Sequence, residues 1–332
     1  MSILVTGGAG YIGSHMLIDL LDAGEKVVVI DNLKTGYDWA IDKRANFILG
    51  DISNHSLVKK VCHQFEVRSV IHFAGSTVVP ESVSNPLKYY SNNTAASLTL
   101  LEASVEVGIE NFIFSSTAAV YGKTDAKPIK ERSHLEPLSP YGRSKLMTER
   151  MLADIATAHK LKYGVLRYFN VAGADPKGRV GQSTVNATHL IKVACQVALG
   201  QREQLDIFGT DYPTADGTCI RDYIHVSDLA SAHTALLNYL RKGGENITLN
   251  CGYGVGFSVR DVANEVRAVS GQDFAIREMN RRRGDAADVI ANVDLIKKNL
   301  CWVPKYNSLK KIVSTALDWE SKLSSLNISQ KY

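Results

Sequence analysis

The chain has 332 residues, 45% hydrophobic and 22% charged, with a net charge of +4. That length holds one large domain or two modest ones, and so mild and dispersed a charge argues against a nucleic-acid partner. Five scattered cysteines, Cys62, Cys195, Cys219, Cys251 and Cys301, form no C-x-x-C or Cys/His group, which excludes a zinc centre or disulfide framework and fits a reducing, cytoplasmic setting. The N-terminus carries no signal-peptide pattern, and no apolar run approaches the ~18–20 residues of a membrane span. Ile3 to Thr6 reads as a strand, and Ile12, Met16, Leu17, Leu20 and Leu21 recur at helical spacing. Further strands are expected at Lys26 to Asp31, Phe47 to Leu49, Val70 to Ala74, Phe112 to Ser116 and Tyr163 to Phe169. Helical patterns run over Leu57 to Phe65, Pro86 to Val107, and onward from Tyr141. Continuous apolar strands alternating with helices predict an α/β, Rossmann-type, doubly wound parallel sheet over residues 1–170.

Beyond Asn170 the pattern loosens. Residues 171–186 are loop-rich, a helix is expected at Thr188 to Leu199, and Phe208 to Pro213 is dense in turn residues. Val226 to Leu240 reads as helix and Asn246 to Asn250 as strand, so about 222–250 can return to the first sheet. Residues 258–270 and 308–323 read as surface helices. The expectation is a smaller, mixed α/β substrate lobe over 171–332 that shares a cleft with the first.

Thr6-Gly7-Gly8-Ala9-Gly10-Tyr11-Ile12-Gly13 joins the first strand to the first helix. Glycines there permit a tight turn and close backbone approach, so a pyrophosphate can sit on the helix N-terminus. Asp31 ends the next strand, where its carboxylate can accept from a ribose diol and would repel a 2′-phosphate. The expected cofactor is therefore NAD. Asp51-Ile52 stands where adenine would lie, although Asp51 also reads as a helix N-cap. Phe73-Ala74-Gly75 is small enough to let a cofactor approach.

Tyr141 and Lys145 lie one turn apart on a helix that starts at Pro140. A fixed ammonium close to a phenol favours the phenolate, so this pair reads as a proton-transfer device with a lowered Tyr141 pKa. Ser116 or Thr117, after the fifth strand, can bring a hydroxyl to the same place.

These blocks, with Asn92-Asn93, Ser115-Ser116, Leu166 to Asn170, Ile207 to Gly209, Asp211 to Thr214, Arg221 to Val226 and Arg282-x-Gly284-Asp285, resemble the extended short-chain dehydrogenase/reductase superfamily. Within it the chain looks like the 4-epimerases of UDP-glucose and UDP-galactose. The resemblance implies bound NAD, a UDP-sugar substrate and a homodimer formed through the helices near 86–107 and 142–160. It implies Tyr141 as base then acid, Lys145 on the nicotinamide ribose, and Thr117 bridging sugar and phenol. Cofactor contacts are implied at Gly7, Gly10, Tyr11, Ile12, Gly13, Asp31, Asn32, Asp51, Ile52, Phe73, Ala74, Gly75, Asn92, Ser115, Tyr141, Lys145 and Tyr168. Substrate contacts are implied at Thr117, Tyr141, Asn170, His189, Phe208, Arg221, Arg282, Asp285 and Val289. By residue type alone, Phe208 and Tyr168-Phe169 also read as core, and Arg281 to Arg283 as a solvated run.

Two departures from the family pattern carry expectations. Ser76-Thr77 stands where some relatives have Lys, which implies a looser hold on NAD. Val289 stands where some have Tyr, which leaves room for an N-acetyl group. Action on UDP-N-acetylhexosamines or UDP-pentoses is the alternative reading. Dehydratases place Asp-Glu after the Thr, whereas Ala118-Ala119 follow Thr117. A net dehydrogenase or reductase would turn over free NADH, and an NAD-sensing regulator would lack the Tyr/Lys pair.

Overall fold

The computed structural model describes residues 1–123, 127–185, 187–282 and 285–325. In chain order the first part comprises β1 (Ser2–Thr6), α1 (Tyr11–Asp22), β2 (Val27–Asp31), β3 (Asn46–Leu49), α2 (His55–Gln64) and β4 (Val67–His72). It continues with α3 (Val79–Ser84), α4 (Pro86–Tyr89), α5 (Ala96–Glu106), β5 (Asn111–Thr117), α6 (Pro140–Ala158) and β6 (Lys162–Tyr168). There follow β7 (Asn170–Ala172), α7 (Leu190–Ala198), β8 (Gln204–Phe208), β9 (Ile220–His225), α8 (Val226–Arg241) and β10 (Ile247–Cys251). The last elements are β11 (Gly256–Ser258), α9 (Val259–Ser270), β12 (Ala275–Met279), β13 (Asp288–Val289), α10 (Asp294–Asn299) and α11 (Leu309–Ser325).

Seven strands form one sheet in the order β10-β6-β5-β4-β1-β2-β3, every neighbouring pair parallel. β1, β2 and β5 are buried along their whole length. Covered on both faces, they show no polar alternation, which is why they read as continuous apolar runs. One face packs Met16, Leu17 and Leu20 of α1 with Leu229 and Leu236 of α8. The other packs Val58 of α2, Leu100 of α5 and Leu152 of α6. This is the doubly wound Rossmann-type sheet expected, and it has its crevice at the carboxyl ends of its strands.

The remaining strands build a second layer. β9 is flanked by β11 and β13 and also pairs with β7, while β12 pairs with β8. Most of these strands were missed in the sequence because they are short and lack the continuous apolar run of the first sheet's buried strands, β12 and β13 being largely unburied. Three other expectations need correction. The Pro86 to Val107 helix is interrupted by a π-helical turn at Tyr90–Ala95, which puts one extra residue into the period. β4 stops at His72, so Phe73 and Ala74 belong to the turn beyond it. Asn54, not Asp51, caps α2, accepting from Leu57 N at 3.0 Å. Among the described residues no helix is long and apolar enough to cross a membrane.

Candidate active site

The glycine loop leaves β1 at the crevice. Gly7 has φ +74, and a Cβ on it would lie 2.6 Å from Ala74 N. A Cβ on Gly13 would lie 2.1 Å from Gly7 O, so both glycines are demanded by the protein's own packing. Gly10 differs. It is the N-cap of α1 with φ −81, and a Cβ there would meet only Gly7 O, at 3.3 Å. The bare surface it leaves is a cradle at a helix N-terminus, flanked by Tyr11 and Ile12, and it suits a pyrophosphate. Tyr11 donates its hydroxyl to Gly173 O at 2.6 Å, tying this helix start to the second lobe.

Other residues expected to contact NAD lie beyond that cradle. Asp31 is buried, and its two oxygens accept from Ala9 N at 2.9 Å and Leu33 N at 2.8 Å. Each oxygen keeps a lone pair for a ribose hydroxyl. Asn32 donates to Asp51 at 2.8 Å, and Ile52 is buried next to it. Beyond β4, Asn93 takes Ser76 N at 2.7 Å and Asn92 donates to Ser76 Oγ at 2.9 Å, so the π-helical turn fastens the Phe73-Ala74-Gly75 corner. The residues present therefore fit NAD.

Ser139 caps α6, accepting from Gly142 N at 3.2 Å, with Pro140 as the first helical residue. Tyr141 is 6% exposed and its phenol lies close to the Thr117 hydroxyl, near enough for that hydroxyl to favour the phenolate. Thr117 Oγ1 also accepts from Ala119 N at 3.1 Å. Ser116 is the hydroxyl that does not reach the site, since it donates to Glu149 on the other side of β5. Thr117 is in register with Tyr168 of β6. The Ser115 hydroxyl is buried close to the Tyr168 phenol without a bond of ordinary geometry.

The expected effect of Lys145 on Tyr141 is not what the structure shows. The Lys145 ammonium donates to Ser115 O at 2.8 Å and sits 4.6 Å from the centre of the Phe114 ring. Burial pushes the Tyr141 phenol well above its ordinary pKa, Tyr168 and Tyr89 add to the rise, and only the Thr117 hydroxyl opposes it. Burial also brings Lys145 down to about 8. The protein alone thus holds Tyr141 as a neutral phenol, and a phenolate there needs positive charge brought by a ligand.

The second lobe presents the substrate candidates. Asn170 on β7 and His189 at the start of α7 line a cavity of about 70 Å³ with Gln182, Tyr223 and Trp319. His189 Nδ1 lies 2.8 Å from Gln182 Nε2. The Arg282 guanidinium stacks 3.7 Å from the centre of the Phe208 ring. Arg221 donates to Ala286 O at 2.9 Å, and its Nη2 lies 3.8 Å from Asp285. Val289 on β13 is in register with Arg221 on β9. The candidates thus form three groups: Asn170 with His189, Phe208 with Arg282, and Arg221 with Asp285 and Val289. Arg283 and Gly284 lie outside the described residues.

Several contributors were not singled out in the sequence. Tyr89 is fully buried edge-to-face with Tyr141, ring centres 6.4 Å apart, and its hydroxyl is 2.8 Å from Glu81. Asp222 is buried and accepts from Tyr253 N and Gly254 N at 2.9 Å and Ala291 N at 3.2 Å, which locks the turn behind Val289. Burial raises its carboxyl to about 6 even so. Asp222 falls in the Arg221 to Val226 block, but no role was read for either residue, because each is defined by chain segments far from it in sequence.

Residues 3–252 match the NAD dependent epimerase/dehydratase family. The UDP-glucose 4-epimerase of Azospirillum brasilense is 56% identical over 97% of this chain and 92% of that protein. The crystal structure of UDP-glucose 4-epimerase from Brucella ovis in complex with NAD is 41% identical, covers 96% of this chain and 97% of that one, and has a TM-score of 0.93. The UDP-Glc/GlcNAc 4-epimerase from Campylobacter jejuni is 45% identical, covers 97% and 99%, and has a TM-score of 0.86. The chain belongs to the NAD dependent epimerase/dehydratase family and, within it, to the UDP-glucose 4-epimerases.

Proposed function

We propose that this chain interconverts UDP-glucose and UDP-galactose at sugar carbon 4, with NAD kept in the crevice throughout. The observation that carries the reading is the buried Tyr141 phenol close to the Thr117 hydroxyl, with Thr117 followed in the chain by Ala118 and Ala119, which cannot move protons. One proton can be taken and returned there, but elimination, which needs a further acid and base, is not served. When bound, NAD supplies a hydride acceptor and a positive charge. Tyr141 takes the proton of the 4-hydroxyl and returns it to the same oxygen once the 4-keto sugar has turned its other face to the cofactor. Thr117 orients that hydroxyl. Lys145, with one ammonium proton on Ser115 O, has two more to offer the nicotinamide ribose. Arg221 and Arg282, with Asn170 and His189, anchor the diphosphate, since guanidinium suits bidentate phosphate recognition. Phe208 takes the uracil and Asp285 the uridine ribose.

A second reading concerns range. Val289 is half-buried at the register position of Arg221, where a larger side chain would narrow the sugar site. N-acetylated hexoses then fit as well as plain ones. Incubating the purified protein with UDP-galactose, UDP-N-acetylglucosamine and a UDP-pentose, with no cofactor added, tests both readings. Interconversion of 4-epimers with no change in free NADH is expected for the first two. Turnover that consumes NADH would overturn the function, and an inert UDP-N-acetylglucosamine would overturn the range.

Leu87, Leu98 and Met147, on α4, α5 and α6, are 79%, 41% and 42% exposed. This apolar face supports the homodimer through those helices. Sedimentation should give twice the chain mass, and Leu87→Asp with Leu98→Asp should return it to the monomer. A parent that sediments as a monomer would rule the dimer out. The five free cysteines support a reducing, cytoplasmic setting.

A further inference from the structure

One turn beyond Lys145, on the side of β5 away from the crevice, lies a charged cluster with no assigned task. Glu149 is 7% exposed and is gripped by Arg167 of β6, 5% exposed, whose Nε lies 3.1 Å from both carboxylate oxygens and whose Nη2 lies 2.6 Å from Oε2. The Ser116 hydroxyl donates to the same carboxylate. Arg167 Nη1 donates to the Tyr121 hydroxyl at 3.1 Å and to Glu131 O at 3.0 Å, and the Tyr121 hydroxyl donates to Asn250 Oδ1 at 2.5 Å. A buried ion pair gives little net stability over apolar residues of the same volume, so stability alone is a weak reason for it.

Its position suggests another reason. Ser116 sits between Ser115, whose carbonyl holds Lys145, and Thr117, whose hydroxyl meets Tyr141. Fastening Ser116 to α6 therefore fixes all three members of the proton-handling group relative to one another.

The charge matters as well. Lys145 has Glu149 one turn on along its own helix, meets the Phe114 ring and Ser115 carbonyl of β5 and acts on His72 of β4, while Arg167 of β6 holds Glu149. Tyr89 of α4 flanks Tyr141, and Tyr121 and Tyr163 flank the ion pair. His72 is held neutral by burial and by Lys145. Among the described residues Glu149 is the one anion that acts on Lys145, and it opposes the loss of the ammonium proton that burial favours.

We propose that Glu149 is a positioning residue for this reaction: held by Arg167 and Ser116, it sets the Ser115–Thr117 strand end against α6 and keeps the Lys145 ammonium charged. The inference rests on the roles proposed above for Tyr141 and Lys145.

The test uses NAD-loaded enzyme carrying Glu149→Gln, and the double variant Glu149→Gln with Arg167→Gln, which leaves no buried guanidinium without its carboxylate should the single one not fold. Two quantities are read. The first is kcat for UDP-galactose as a function of pH. The second is the titration of the Lys145 Nζ resonance in protein with labelled lysine, assigned by its absence in Lys145→Met. In the variants the alkaline fall in kcat and the Nζ titration should both move down by about one pH unit, a tenfold change in proton affinity. KM should change by less than about threefold, and Glu149→Asp should bring the profile back toward the parent. A folded double variant whose Nζ titration matches the parent's would overturn the proposal, whatever its thermal stability. A parent without epimerase activity would instead sink the functional reading, and the Nζ titration would still decide this one.

Discussion

Tyr141→Phe is expected to lower turnover of UDP-galactose by about two to four orders of magnitude, the range set by loss of a positioned acid–base group. Phe keeps the aromatic body that meets Tyr89 edge-to-face at 6.4 Å, so the packing of α6 against α4 survives. It removes a hydroxyl that lies close to Thr117, and Thr117 still caps the following turn through Ala119 N at 3.1 Å. Stability should therefore change by no more than about 1 kcal/mol. NAD released on denaturation should match the parent's. Chromatography of the sugar products measures the first expectation and absorbance of the released nucleotide the second. Full activity in this variant would end the assignment of Tyr141.

The glycine loop yields the other large effect, a contrast between two neighbouring positions. Gly13→Ala forces a Cβ to 2.1 Å from Gly7 O, and nothing there is a flexible side-chain end that can move away. Overpacking of this kind costs about 1–3 kcal/mol, so the melting temperature should fall. Gly10→Val adds its bulk on the open side of the N-cap, where the nearest atom to a Cβ is Gly7 O at 3.3 Å. The variant should fold close to the parent's stability and bind NAD at least about a hundredfold more weakly, since the pyrophosphate can no longer reach the helix N-terminus. Calorimetry of NAD binding beside thermal melts separates the two. If Gly10→Val bound NAD as the parent does, the cradle at the start of α1 would not be the pyrophosphate site.

The parts legible in the sequence share a physical character. The glycine loop, Asp31, Thr117 and the Tyr141–Lys145 pair each sit in a short segment whose chemistry is local: a turn that only glycine makes, an acid at a strand end, two side chains one helical turn apart. A continuous apolar strand likewise announces its own burial, as β2 does along all five residues. What was not legible depends on distant partners. Spacing on α6 places Lys145 beside Tyr141, but where its ammonium points is decided by the Ser115 carbonyl on β5. Tyr89 meets Tyr141 edge-to-face from another helix, 52 positions earlier in the chain, which no local spacing announces. Asp222 looks like an ordinary strand residue next to Arg221 until the backbone of Tyr253, Gly254 and Ala291 closes around it. The short strands of the second layer are stabilised by pairing across the chain and carry no signature of their own.

The most direct measurement of the central claim repeats the interconversion with UDP-galactose carrying deuterium on carbon 4, with no cofactor added. Mass spectrometry of the UDP-glucose formed should find the deuterium still on carbon 4 and no NADH in solution, because the hydride leaves and returns within one crevice. Deuterium replaced by solvent hydrogen, or NADH formed in step with product, would contradict it.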